Sequence, residues 1–163
     1  MNTILRKLQE KDVPAMLEWM HDEAVAGNFR FDFMSMTEEK ALDFIFKSFT
    51  DENQHFAIVD AQNNYLGTVS LKNISTTDKN AEYAIVLRRK FWGKGYAQKA
   101  TSAILNYAFN TLNLHKVYLN VLAENLRANN FYKKFGFTFE GSFKDHINRR
   151  RGGVLHTQLV RDN

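Results

Sequence analysis

Apolar positions change rhythm along the chain, and each change marks an element. Thr3 to Leu8 reads as a short strand. Asp12 and Pro14 then open a helix whose Val13, Met16, Leu17 and Met20 share one face, because side chains three and four apart stack on a 3.6-residue turn. Thr37, followed by Glu38 and Glu39, starts a second helix that should run to about Phe49. Three β-like segments follow, His55 to Asp60, Tyr65 to Leu71 after an Asn63-Asn64 turn, and Ala81 to Leu87, which suit an antiparallel meander.

The clearest helix comes next, with Ala97, Ala100, Thr101, Ile104, Leu105, Ala108 and Leu112 along one stripe that must lie on a sheet. Lys116 to Leu122 alternates Val117, Leu119 and Val121 as a strand. Asn125 caps a further helix that carries Ala128, Phe131, Tyr132 and Phe135 on one face and ends at Gly136. Phe137 to Asn148 and Val154 to Val160 close the chain as two strands joined through Arg149-Arg150-Arg151 and Gly152-Gly153. The order predicts an α+β domain with a mixed, mostly antiparallel sheet of about seven strands flanked by four helices.

Composition narrows what that domain can do. The 163 residues suit one domain, 1–163, and with a single proline and no low-complexity stretch nothing reads as a linker. There is no cysteine, which excludes disulfides, thiolate metal sites and a cysteine nucleophile, and makes the cytoplasm the simplest compartment. No apolar run approaches the roughly 18 residues of a membrane span, so no membrane partner is expected. The five histidines show no ligand spacing, so no metal is expected either. A net charge of +4 suits an anionic ligand, although the charges are interspersed along most of the chain.

One segment invites an anion. Phe91-Trp92-Gly93-Lys94-Gly95-Tyr96-Ala97 lies where a strand hands over to the long helix, so free backbone N–H groups and the helix dipole face whatever the turn holds, with Lys94 adding to the field. It is neither a dinucleotide fingerprint, since Gln98 stands where the third glycine should be, nor a Walker loop, since Gly95 follows Lys94. Behind it come Asn125-Leu126-Arg127-Ala128 and Phe131-Tyr132-Lys133-Lys134-Phe135-Gly136-Phe137. Together these segments resemble the GNAT superfamily of N-acetyltransferases. Its second motif, Asn-x-x-Ala-x-x-x-Tyr-x-Lys-x-Gly-Phe, is matched at every named position, whereas its first opens here with Lys90 in place of Gln or Arg. The segment from Ala81-Glu82-Tyr83 to Ala97 looks like the branch that holds ribosomal-protein and polyamine acetyltransferases.

That resemblance implies acetyl-CoA as co-substrate and a small-molecule or peptide amine as acceptor, and it leaves a homodimer open. Gly93, Lys94, Gly95, Tyr96, Ala97 and Asn125 would line the cofactor site, with the strand backbone at Ile85 and Leu87 along the pantetheine arm. Transfer from a protonated amine needs a base and an acid for the leaving thiolate. Tyr132 is the implied acid and Glu82 the implied base, with His146 in reserve. Each has a structural alternative, a core aromatic for Tyr132 and a salt-bridged strand carboxylate for Glu82. The competing function is a basic module that binds nucleic acid through Lys144 and Arg149 to Arg151 without catalysis, motivated by a pI ≈ 9.3. No recognition-helix, zinc-finger or RNA-stacking signature accompanies those cations, so no nucleic-acid partner is expected.

Overall fold

A computed structural model describes residues 4–27, 29, 31–145 and 154–163. Its strands are β1 (Ile4–Lys7), β2 (Gln54–Val59), β3 (Tyr65–Ser75), β4 (Asn80–Leu87), β5 (Lys116–Leu122), β6 (Thr138–Asp145) and β7 (Val154–Asp162). They form one seven-stranded sheet in the order β1-β2-β3-β4-β5-β7-β6. Every pair is antiparallel except β4 with β5, whose parallel pairing needs the intervening long helix as a crossover.

The α-helices are α1 (Val13–Met20), α2 (Glu23–Ala26), α3 (Glu38–Phe46), α4 (Tyr96–Asn106) and α5 (Leu126–Lys134). One more is present than the hydrophobic rhythm announces, because α2 is a single turn, too short for periodicity to register, capped by the Asp22 carboxylate on the Ala24 N–H. The second expected helix stops at Phe46 rather than Phe49, and β3 runs on to Ser75. At its C-terminus α4 widens into a π turn over Tyr107–Thr111, which brings Phe109 into the core.

Alternation along the strands splits the interior in two. Ile58, Val69, Tyr83, Leu119 and Leu159 pack beneath Ala100, Ile104 and Leu105 of α4. Ala57, Val59 and Tyr65 pack with Met16, Trp19 and Met20 of α1, Val25 of α2 and Ala41 of α3. Adjacent β2 residues thus serve opposite faces, as pleating requires. The Arg6 guanidinium grips Asp12 with bonds of 2.8 and 2.9 Å, joining β1 to the start of α1. Asp12 is only 2% exposed, so removing Arg6 would leave a buried charge at a cost of about 3–5 kcal/mol.

Candidate active site

The parallel pairing of β4 with β5 covers only Asn80, Ala81 and Glu82 against Lys116, Val117 and Tyr118. Beyond Glu82 the two strands part, and among the described residues the β5-facing edge of Tyr83 to Leu87 has no strand beside it. The opening is a cleft of two lobes that share Val25, Phe29, Ile85, Trp92, Asn125, Ala128 and Tyr132 in their walls. The first, of about 570 Å³, reaches Leu87, Gly93, Gly95, Tyr96, Ala97 and Gln98. The second, of about 500 Å³, reaches Phe31, Phe33, Lys72, Glu82 and Ala84, together with Leu119 to Leu122. Glu82 and Ala84 share one face of β4 while Tyr83 and Ile85 share the other, so the second lobe passes through the sheet.

The first lobe ends at a helix start that has no side-chain cap among the described residues. Thr37, Asp22 and Asn125 each cap a helix with a side-chain oxygen, but the cap of α4 is Gly95, which has none. The Lys99 N–H is the first in α4 to reach a carbonyl, that of Gly95 at 3.2 Å. The N–H groups of the preceding turn therefore point out of the helix at the lobe, with the positive end of its dipole. Gly93 and Gly95 hold φ of +71° and +85°, and a β-carbon on Gly93 would meet nothing within 4 Å. Their role is thus to let the backbone turn left-handed beside open space, rather than to avoid a neighbour. That combination fits a pyrophosphate. Lys94 between them is exposed and does not line the lobe, whereas Gln98 and Arg127 do. Both sit in the first turns of helices whose N-termini meet at the cleft, a placement visible only once β4 and β5 are seen to part.

Helix α5 delivers Tyr132. The Asn125 side chain accepts from the Ala128 N–H at 3.1 Å to start the helix, and Asn129, buried, donates to the Leu122 and Asn125 carbonyls to tie it to β5. At the other end Gly136, at φ +86°, closes a Schellman motif in which the N–H groups of Gly136 and Phe137 bond the carbonyls of Lys133 and Tyr132. The reversal folds the Phe137 ring back to 5.7 Å from that of Tyr132. The spacing of Asn, Ala, Tyr, Gly and Phe in this stretch is therefore the spacing of one capped helix that presents a tyrosine.

Tyr132 borders both lobes, its ring edge-on to that of Tyr83 at 5.5 Å. Burial pushes its phenol up to about 12, with the Tyr83 hydroxyl pulling the other way. Tyr83 in turn bonds Thr101 Oγ1 at 2.8 Å. Either hydroxyl of that bond can donate, and the arrangement with Thr101 as donor frees the Tyr83 proton for Tyr132 and the Tyr132 proton for the cleft. Glu82 stands at the apex where the strands part. Asn73 Nδ2 donates to its Oε1 at 3.3 Å, Lys72 lies 3.6 Å from Oε2, and 20% of its side chain is exposed. It is thus both a salt-bridged strand carboxylate and a wall of the second lobe. His146 and Arg149 to Arg151 lie outside the described residues. Among those described, no three histidine, aspartate or glutamate side chains converge on a metal-sized site, and no helix is long and apolar enough to cross a membrane.

The fold and the cleft are those of an acyltransferase. Residues 2–138 match the acetyltransferase (GNAT) domain. The chain is 40% identical over 109 residues to the spermidine N(1)-acetyltransferase of Vibrio cholerae serotype O1, an alignment covering 66% of this chain and 63% of that protein. To the spermidine N(1)-acetyltransferase of Escherichia coli K12 it is 34% identical over 140 residues, covering 84% and 73%. The crystal structure of the Vibrio cholerae spermidine N-acetyltransferase in complex with CoA and spermine matches with a TM-score of 0.88 at 27% identity, over 99% of this chain and 95% of that one. The chain belongs to the GNAT family of acetyl-CoA-dependent N-acetyltransferases.

Proposed function

We propose that the protein acetylates a primary amine of a polyamine such as spermidine, by direct attack in a ternary complex with acetyl-CoA. The observation that carries the reading is the parting of β4 from β5 beyond Glu82 and Tyr118, which joins the lobe at the uncapped helix to the lobe at Glu82 with Tyr132 on both. The polyamine is suggested by the relatives, and a small cationic amine suits a lobe with aromatic walls and a carboxylate at its apex.

In this reading acetyl-CoA supplies the activated acyl group. The first turn of α4 and the glycines at 93 and 95 receive its pyrophosphate through backbone N–H groups, with Lys94 adding charge from the rim. The edge of β4 at Ile85 and Leu87 offers the pantetheine arm strand-like hydrogen bonds, beside the one that Trp92 Nε1 already gives the Leu87 carbonyl. Asn125 holds the start of α5 against the same lobe. Glu82 takes the proton of the incoming ammonium, directly or through water, the freed amine attacks the thioester carbonyl, and Tyr132 donates a hydrogen bond to the sulfur as the C–S bond breaks. Such an enzyme belongs in the cytoplasm, where acetyl-CoA is available.

A thiol-release assay with acetyl-CoA and spermidine tests this, with lysine-terminated peptides and amino sugars as alternative acceptors. Spermidine-dependent thiol release with intersecting double-reciprocal plots is the expected result. Parallel plots would overturn direct attack, and release with another acceptor class alone would overturn the polyamine.

A further inference from the structure

Between the end of β4 and the glycine turn stands a single helical turn, Arg89–Phe91, and Arg88, its cap, and Arg89, its first residue, reach across to α1 and to the start of α2. Arg88 binds both oxygens of Glu18 near the C-terminus of α1, Nε at 2.5 Å and Nη2 at 3.3 Å, while Nη1 holds the Tyr65 carbonyl at 2.8 Å. Its side chain is only 14% exposed, and its guanidinium lies 5.3 Å from the centre of the Phe91 ring. Arg89 makes a second fork, on the two oxygens of Asp22, with Nε at 2.9 Å and Nη2 on the other oxygen. Asp22 is the cap of α2, and α2 carries Val25, a wall of both lobes. Trp92, just past the turn, donates from Nε1 to the Leu87 carbonyl at 2.9 Å and also lines both lobes.

Two planar guanidinium forks on two carboxylates fix orientation as well as distance, which single ion pairs do not. The anchored segment leads straight into the backbone N–H groups at Gly93 to Ala97, and those groups bind well only if their geometry is set before the ligand arrives. The Arg88 fork lowers the pKa of Glu18, and the Arg89 fork lowers that of Asp22 and raises its own, as expected for carboxylates that accept charged hydrogen bonds.

We propose that Arg88 and Arg89 are positioning residues whose forks, on Glu18 of α1 and on Asp22 at the start of α2, hold the pyrophosphate-binding turn against those two helices, the second of which walls both lobes. The proposal rests on the reading of Gly93 to Ala97 as the pyrophosphate site. It distinguishes the forks from surface pairs that only add stability, because a preorganising contact changes affinity while a merely stabilising one changes melting alone.

The test is calorimetric titration of wild type, Asp22→Asn, Arg89→Gln and the double variant with CoA, beside steady-state kinetics with acetyl-CoA and thermal melts. Asparagine still caps α2, so the Asp22→Asn variant removes the fork's charge and keeps the helix start. Each single variant should weaken CoA and raise the KM for acetyl-CoA about fivefold, leaving kcat within about twofold. The double variant should be no worse than either single one, because both delete the same contact. Arg88→Lys, which keeps the charge and loses the fork, should show the same KM-only pattern. Wild-type CoA affinity in the folded single variants, or additive losses in the double one, would overturn the positioning role alone. Failure of wild type itself to bind CoA would overturn the pyrophosphate site, and the forks' role with it.

Discussion

Replacing Tyr132 by phenylalanine removes one oxygen and leaves the ring, whose packing is held by Tyr83 at 5.5 Å, Phe131 at 5.2 Å and Phe137 at 5.7 Å. The structural loss is confined to the hydrogen bond with Tyr83, about 1 kcal/mol of stability. With its pKa pushed up to about 12, the phenol is fully protonated throughout any practical assay range, so a donor is always present. The same shift makes it a weak acid: against an ordinary thiol near 8.5, complete proton transfer would be uphill by roughly 5 kcal/mol. Tyr132 should therefore act chiefly by donating a hydrogen bond as negative charge grows on sulfur, which favours the lower part of the general-acid range. We expect kcat to fall about 10²- to 10³-fold, with the KM for acetyl-CoA nearly unchanged. The assay is thiol release between pH 7 and 9.5 on protein whose melting curve stays cooperative. No descending limb from Tyr132 should appear in that range, because the group titrates far above it. Full turnover in the Phe variant would refute the acid role. A limb below pH 9.5 that vanishes with the substitution would refute the burial argument for its pKa.

Glu82→Gln should lower kcat about 10- to 100-fold near pH 7 and progressively less toward pH 10, where more amine is already unprotonated; a pH-independent loss would leave Glu82 as a structural partner of Lys72 and Asn73. Gly95→Val should cost about 1–2 kcal/mol in backbone strain at φ +85° and raise the KM for acetyl-CoA at least about tenfold, read by melting and kinetics together; unchanged KM in the folded variant would remove the turn from the cofactor site. His55 is bonded to Ser70 at 2.6 Å, and burial, aided by Lys72, holds its pKa down to about 4. Because the unfolded chain takes up that proton near pH 6.5, stability should decline as pH falls from about 6.5 to 4, by up to about 3 kcal/mol, and level off below. Denaturant titrations of wild type and His55→Gln check this, and equal slopes with pH in both would rule His55 out as the cause.

Much of this protein was legible along the chain because its signals are local. The stripe from Ala100 to Ala108 is buried as its period requires, since helical spacing alone decides which face meets the sheet. The stretch from Asn125 to Phe137 carries its own cap, its own left-handed stop and the tyrosine between them, all within four turns of backbone. The glycines at 93 and 95 likewise announce a tight turn before a helix, which the structure makes left-handed at both. What pairing distance decides was hidden. Nothing in the residues of β4 or β5 says that their ladder stops at Glu82 and Tyr118, yet that parting creates the cleft and brings Tyr132 and Glu82 to one passage from opposite faces of the sheet. Nor could spacing show that Arg88 and Arg89 reach Glu18 and Asp22, 70 and 67 positions away, because side chains so far apart meet only after the sheet has placed α1 and α2 beside the phosphate turn. Local hydrogen-bond geometry is written in neighbouring residues, whereas the site depends on where strands separate and which helices cover them, which only tertiary packing determines.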